Sequence, residues 1–102
     1  MAESDPVVVL AFWHTTPDLL SAVLAAITEL RSRTLVERGC TGYEALQQIG
    51  DPTWIVLIEE YRDAAAQQDH VNSDHYREIV VERIRPMLIE RRVEMLRLSS
   101  VH

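Results

Sequence analysis

Apolar residues fall along this chain in two kinds of run, unbroken and periodic. "VVVLAFWH", Val7 to about His14, is nearly continuous and begins with three β-branched valines, and "WIVLIEEY", Trp54 to Tyr61, is another such run. Short continuous apolar runs of this kind suit strands buried on both faces. Between them Leu20, Val23, Leu24, Ile27 and Leu30 or Arg31 recur at helical spacing, which predicts a helix to about Leu35. Thr16 is its expected N-cap, with Pro17 at the first helical position and Asp18 facing the positive end of the dipole. Two glycines in "ERGCTG" end it, "YEALQQI" alternates as a strand, and the turn "GDPT" makes an antiparallel hairpin with the run that follows. "RDAAAQQDH" predicts a short helix, and Ser73 can cap a longer one whose inward positions are Tyr76, Ile79, Val80, Ile84, Met87 and Leu88. Pro86 disfavours helical geometry at Arg85, so that helix should kink or tighten there. "RRVEMLRLS" closes the pattern as a last strand.

Strand, helix, strand, strand, helix, strand is the split βαβ order of a ferredoxin-like α+β domain, an antiparallel sheet with helices on one face. At 102 residues the chain has room for one such domain, 1–102. The first and third strands are apolar on both faces, yet two helices cover only one. A second copy, packed sheet to sheet with two-fold symmetry, is the simplest cover for the other.

Composition narrows the chemistry. The ten basic residues are all arginine, and with no lysine a Schiff base, covalent pyridoxal phosphate and a Walker A phosphate loop are excluded. Three glycines in the wrong contexts exclude a dinucleotide fingerprint. A net charge of −6 argues against nucleic acid. No apolar run is long enough to span a bilayer, and the acidic opening is unlike a secretory signal, so no membrane partner and a cytoplasmic location are expected. Cys40 is alone, which fits a reducing compartment, and its surroundings suggest an inert thiol.

Three stretches carry a family resemblance: "ERGCTGYE", "VLIEEYRDAAAQQDH" and "HVNSDHY". Taken in order, from about Val7 to Leu88, they resemble the antibiotic biosynthesis monooxygenase family of dimeric α+β barrels. The last stretch matches the family's H-x-x-S-x-H-[FY] at every specified position; the first departs from E-P-G-C-x-x-Y-E at Arg38, and Tyr61 stands where a tryptophan is common. The haem-degrading branch is a poor match: where it carries its haem-ligating histidine this chain has Ile79 or Val80, and the first strand offers Ala11 or Phe12 in place of its asparagine. No cofactor is therefore expected. The resemblance implies a pocket between sheet and helices, and Trp13, Ala11, Ile79 and Val80 are its expected lining.

His70 and His75 are the residues in question. On one continuous helix a spacing of five sets side chains about 140° apart, and zinc requires three or four ligands. The expectation is no metal, His75 as an ordinary first-turn residue, and His70 turned toward the pocket. An imidazole titrates near working pH and is the natural candidate for a general base. Oxygenation without metal or flavin needs a substrate that supplies its own electrons: a quinol, an anthrone or a polyketide-like phenol, reacting with O2. In that scheme His70 removes the proton, Tyr61 at the cavity mouth orients the substrate oxygen, and Trp13 stacks on the ring. The alternatives are an isomerase or cyclase of a small carbonyl or polyketide-like compound, and a non-catalytic dimeric binding protein. The arginines of the last third alternate with glutamates and look like a solvated face.

Overall fold

In the computed structural model, which describes residues 5–99, β1 (Val7–Thr15) lies inside a four-stranded antiparallel sheet. It pairs on one side with β3 (Trp54–Tyr61), from Val7 opposite Tyr61 to His14 opposite Trp54, and on the other with β4 (Leu88–Arg97). β2 (Cys40–Gln47) pairs with β3, so the order is β2-β3-β1-β4 with β2 and β4 at the edges. The helices lie on one face, and the fold is the expected α+β ferredoxin-like arrangement.

Strand parity decides what faces them. Val7, Val9, Ala11, Trp13 and Thr15 of β1 are buried, as are Ile55, Leu57, Glu59 and Tyr61 of β3. Against this face α1 (Leu20–Thr34) lays Val23, Ala26, Ile27, Leu30 and Thr34, the apolar stripe its 3.6-residue period produces. Arg31, outside that stripe, donates from Nε to the Tyr43 carbonyl at 2.7 Å and pins the helix to β2. On the opposite face Val8, Leu10, Phe12, Val56 and Ile58 are half-buried or exposed, with no described element over them.

Four local expectations are corrected. α1 starts at Leu20: Thr16 caps a preceding turn through Leu19 N at 3.3 Å, with Pro17 and Asp18 in that turn. β2 starts three residues early, at Cys40, because the backbone is already extended and paired with Tyr61 before the tyrosine is reached. β4 likewise starts at Leu88, which leaves its inward helical position to become the first strand residue while still packing on the core. The largest difference lies in the last helix. α2 (Ala64–Val71) is capped by Asp63, whose carboxylate accepts from Ala66 N at 2.8 Å; the third helix, α3 (Tyr76–Ile84), is wound as a π-helix. Its i→i+5 bonding widens each turn, and Ile79, Val80 and Ile84 are buried as the pattern foretold. Pro86 then tightens the chain into a 3-10 turn, Arg85–Met87, whose Met87 carbonyl accepts from Thr15 Oγ1 at 2.7 Å.

Gly39, buried between α1 and β2, is required for packing rather than for backbone freedom. A Cβ there would lie 2.2 Å from Ala66 Cβ. Gly39→Ala should cost about 1–3 kcal/mol of stability, the usual range for overpacking, and adding Ala66→Gly should restore most of it; denaturant unfolding of the single and double variants checks both.

Candidate active site

A cavity of about 60 Å³ lies between the helix-side face of the sheet and the last two helices. Register builds its floor. Val9 stands opposite Glu59 and Glu59 opposite Tyr43, while Ala11 and Trp13 follow along β1. The last turn of α2 contributes Gln67, His70 and Val71, and α3 contributes Tyr76 and Val80. Arg91 and Val93 of β4 line its remaining side, and since both are exposed the cavity opens along that sheet edge.

His70 is the most constrained side chain in it. Its Nδ1 is 2.8 Å from Glu37 Oε2, and its Nε2 lies 3.8 Å from Glu59 Oε1. Tyr76 stands edge-on to the ring at 5.2 Å, and Tyr61 tilts against it at 5.3 Å. Glu37 sits in the turn between α1 and β2, where its backbone N–H donates to the Thr34 carbonyl at 3.0 Å. His75 Nε2 is 2.5 Å from the same Glu37 oxygen. The two histidines therefore converge, against the expectation from a spacing of five. The reason is the break between α2 and α3: Ser73 Oγ donates to the His70 carbonyl at 2.7 Å and accepts from Tyr76 N at 3.2 Å, so the chain turns between them.

Burial sets the electrostatics. Desolvation lowers the His70 pKa, opposed by the hydrogen bond and charge of Glu37. Desolvation raises the Glu59 carboxyl to about 7, opposed by the bond it accepts from Tyr61 and reinforced by the Glu37 charge. The Tyr61 and Tyr43 hydroxyls are pushed up, first by burial and then by Glu59, and stay protonated. Burial also raises the Cys40 thiol, whose Sγ donates to the Gly42 carbonyl, which keeps it unreactive.

Of the residues singled out from sequence, His70, Ala11, Trp13 and Val80 line the cavity together. Ile79 does not; it is one position out of phase on α3 and packs in the main core. Tyr61 is also not at the mouth. It is fully buried behind the floor, its hydroxyl donating to Glu59 Oε1 at 2.6 Å. Sequence reasoning missed Glu37, Glu59, Tyr76 as a wall and Arg91 as part of the mouth. Glu59 had a signal: it shares the inward parity of Ile55, Leu57 and Tyr61, and an acid at such a position asks for an explanation. Glu37 is the glutamate of "ERGC", visible in the motif but assigned no partner there.

With the geometry in place, comparison with known proteins is decisive. A family model described as antibiotic biosynthesis monooxygenase matches residues 6–82. The chain belongs to the antibiotic biosynthesis monooxygenase family. Rv0793 of Mycobacterium tuberculosis, whose name designates it a candidate monooxygenase, is 36% identical over 73 residues, 72% of this chain and 71% of that protein. The Rv0793 structure superposes with a TM-score of 0.81 at 28% identity over 95% of this chain and 96% of that one. A crystal structure of an antibiotic biosynthesis monooxygenase gives 0.82 at 26% over 94% and 99%. A conserved protein of Methanosarcina mazei Go1 shares the fold, with a TM-score of 0.88 at 24% identity over 95% of this chain and 96% of that one. Membership in the antibiotic biosynthesis monooxygenase family makes a monooxygenase-like function the starting point for reading the cavity.

The Glu59 shift has a thermodynamic signature. A carboxyl whose pKa is raised on folding binds its proton more tightly in the folded state, so its contribution to stability is full below the unfolded value of 4.5 and is lost as pH rises through about 7. Glu59→Gln keeps an acceptor for Tyr61 and removes the titration. Unfolding measured from pH 4 to 8 should show wild type losing stability relative to Glu59→Gln across that window; parallel curves would mean that Glu59 is not buried as described.

Proposed function

We propose that this chain is a cofactor-independent monooxygenase that oxidises a small electron-rich phenol or hydroquinone with O2, with His70 as its base. The observation that carries the reading is the two-sided setting of His70. A carboxylate only accepts, so Glu37 at 2.8 Å fixes the ring proton on Nδ1 and leaves the Nε2 lone pair on the cavity side. An imidazole held neutral by burial is ready to take a phenolic proton. The substrate anion then gives an electron to O2, the radical pair combines at a ring carbon, and the peroxide breaks its O–O bond. One oxygen atom stays on the ring as a carbonyl as that carbon gives up its hydrogen, the other leaves as water formed with that hydrogen and the proton His70 returns, and all four electrons come from the substrate.

The surroundings have supporting roles in this scheme. Trp13 offers a ring for stacking, Arg91 a cation at the mouth for the developing anion, and Tyr61 positions Glu59 rather than touching substrate. Sites for drug-sized ligands run to about 300–1,000 Å³ and a cavity that holds one benzene ring to about 150 Å³, so at about 60 Å³ this one must widen at its open edge even for a single-ring hydroquinone, and a three-ring anthrone asks for far more. The runner-up, isomerisation of a small carbonyl compound, draws on the 3.8 Å approach of His70 Nε2 to Glu59 Oε1, a pair able to move a proton between neighbouring carbons without oxygen.

The active form in this proposal is a homodimer through the uncovered sheet face. Leu10 and Phe12 of β1 lie beside Ile58 and Val56 of β3, and Leu46 of β2 and Leu96 of β4 extend the apolar strip to both edges. His14 and Trp54 stack at 4.1 Å at its end. A reducing, cytoplasmic setting suits the single Cys40.

Oxygen uptake by metal-free protein across a panel of hydroquinones tests the reaction. Turnover is expected for single-ring substrates, with His70→Ala lowering kcat by about 10²–10⁴-fold; product formation without oxygen consumption would favour the isomerase. Ile58→Asp should convert the dimer to monomer in sedimentation, because a charge cannot be buried there without a partner.

A further inference from the structure

The hydrogen bonds that hold His70 as a base also bring together a set of metal-ligating atoms. Glu37, His70 and His75 come from three separate segments, the turn after α1, the end of α2 and the start of α3. One ligating atom from each lies within 4.8 Å of the others. Two imidazole nitrogens and a carboxylate oxygen are a donor set suited to first-row transition ions, zinc and cobalt among them. Both nitrogens already aim at Glu37 Oε2, at 2.8 and 2.5 Å. Around an ion with bonds of about 2.1 Å, donor atoms stand about 3.0–3.4 Å apart. Admitting the ion takes an opening of less than about 1 Å at each contact with Glu37, and the two nitrogens, now within 4.8 Å of one another, would close to that same spacing.

Access and support point the same way. The side chains of Glu37 and His75 are 16% and 17% exposed, which gives a hydrated ion a route in and leaves positions for water, whereas His70 at 3% anchors the inner side. The Nε2 of His70 lies 3.8 Å from the Glu59 carboxylate, which stands on the side where a metal-bound imidazole commonly has its outer-shell acceptor and would have to move closer to serve as one.

We propose that Glu37, His70 and His75 form a binding site for a divalent transition-metal ion of the zinc or cobalt class, and that its occupancy disables His70 as a base. The exclusion follows from the tautomer. An ion takes the lone pair of Nδ1, so the ring proton must sit on Nε2, toward Glu59 and the cavity. No lone pair then faces a substrate. Glu37 is drawn to the ion as well and no longer orients the ring for catalysis. The binding half stands by itself; the inhibitory half rests on the reading of His70 as the base.

The metal-stripped 102-residue chain titrated with Zn(II) in a calorimeter, and with Co(II) while its visible absorption is followed, tests the site. One ion per chain in the micromolar range or tighter is expected, with Co(II) d–d bands from a nitrogen and oxygen shell. Glu37→Gln and His75→Gln, each verified as folded by circular dichroism, should weaken binding about tenfold or more, while Asp74→Asn, beside His75 but pointing to solvent, should bind as wild type. Absence of binding by wild type, or binding that neither ligand variant changes, overturns the site. Hydroquinone-dependent oxygen uptake read on the same Zn(II) titration tests the second half: uptake should fall in step with occupancy and return with chelator. Uptake that persists at full occupancy overturns the exclusion. Absence of uptake even from metal-free protein overturns the base reading and the exclusion with it, while the site itself stands or falls on the calorimetry alone.

Discussion

One carboxylate oxygen, Glu37 Oε2, holds together three segments that the sheet does not otherwise join. The turn after α1, the end of α2 and the start of α3 meet on it through His70 and His75. Its effect on His70 is opposite to that of the surroundings: burial drives the imidazole toward its neutral form, and the carboxylate draws a proton back. Without Glu37 the ring would be a desolvated imidazole free to choose its tautomer. With it, the proton has an assigned nitrogen and the cavity an assigned lone pair. The cost of burying a carboxylate is met by two donors at once, which is how a partly buried charge is kept in a small chain.

The sheet supplies the frame, and its two faces differ in kind. The helix-side face is closed over a core in which Leu30, Ile55, Leu57 and Ile84 are fully buried. The other face carries Leu10, Phe12, Val56 and Ile58 with only marginal cover, such as the Arg92 guanidinium 4.2 Å over the Phe12 ring. A cation laid on an aromatic ring shields it while exposed, yet it can move aside when a better partner arrives. The apolar continuity of β1 and β3 therefore serves two environments, which is why neither strand reads as a simple alternation.

That continuity is also why the fold was legible before the structure. Unbroken runs marked β1 and β3, the Val23-Ile27-Leu30 stripe marked α1, and Pro86 marked the tightening after α3. The cavity was legible where strand parity governs it, at Ala11 and Trp13, and less so on α3. There a π-helical turn, which no residue pattern signals, placed Val80 in the cavity and Ile79 in the core. The meeting of His70 and His75 was illegible for a similar reason. It depends on the direction the chain takes in the turn at Ser73 and on Glu37, thirty-three positions away from His70, and periodicity describes one element at a time. Arg91 was misjudged because alternating charges on an edge strand look solvated, and it is solvated; it also borders the cavity.

Glu59 and His70 share one small apolar space, and the same desolvation acts on them in opposite senses. It favours the protonated carboxyl and the unprotonated imidazole, so burial favours the neutral pair. With the carboxyl raised to about 7, a proton is held next to an acceptor at little cost near neutral pH. Tyr61 limits the shift by donating to Glu59, and because its own hydroxyl is pushed up it cannot itself give up the proton. The cavity thus holds a proton donor and a proton acceptor 3.8 Å apart with a fixed phenol behind them. In the proposed reaction such a pair would accept a proton from a substrate oxygen and deliver one to a leaving oxygen, which is the proton traffic that a reaction drawing all its electrons from the substrate requires.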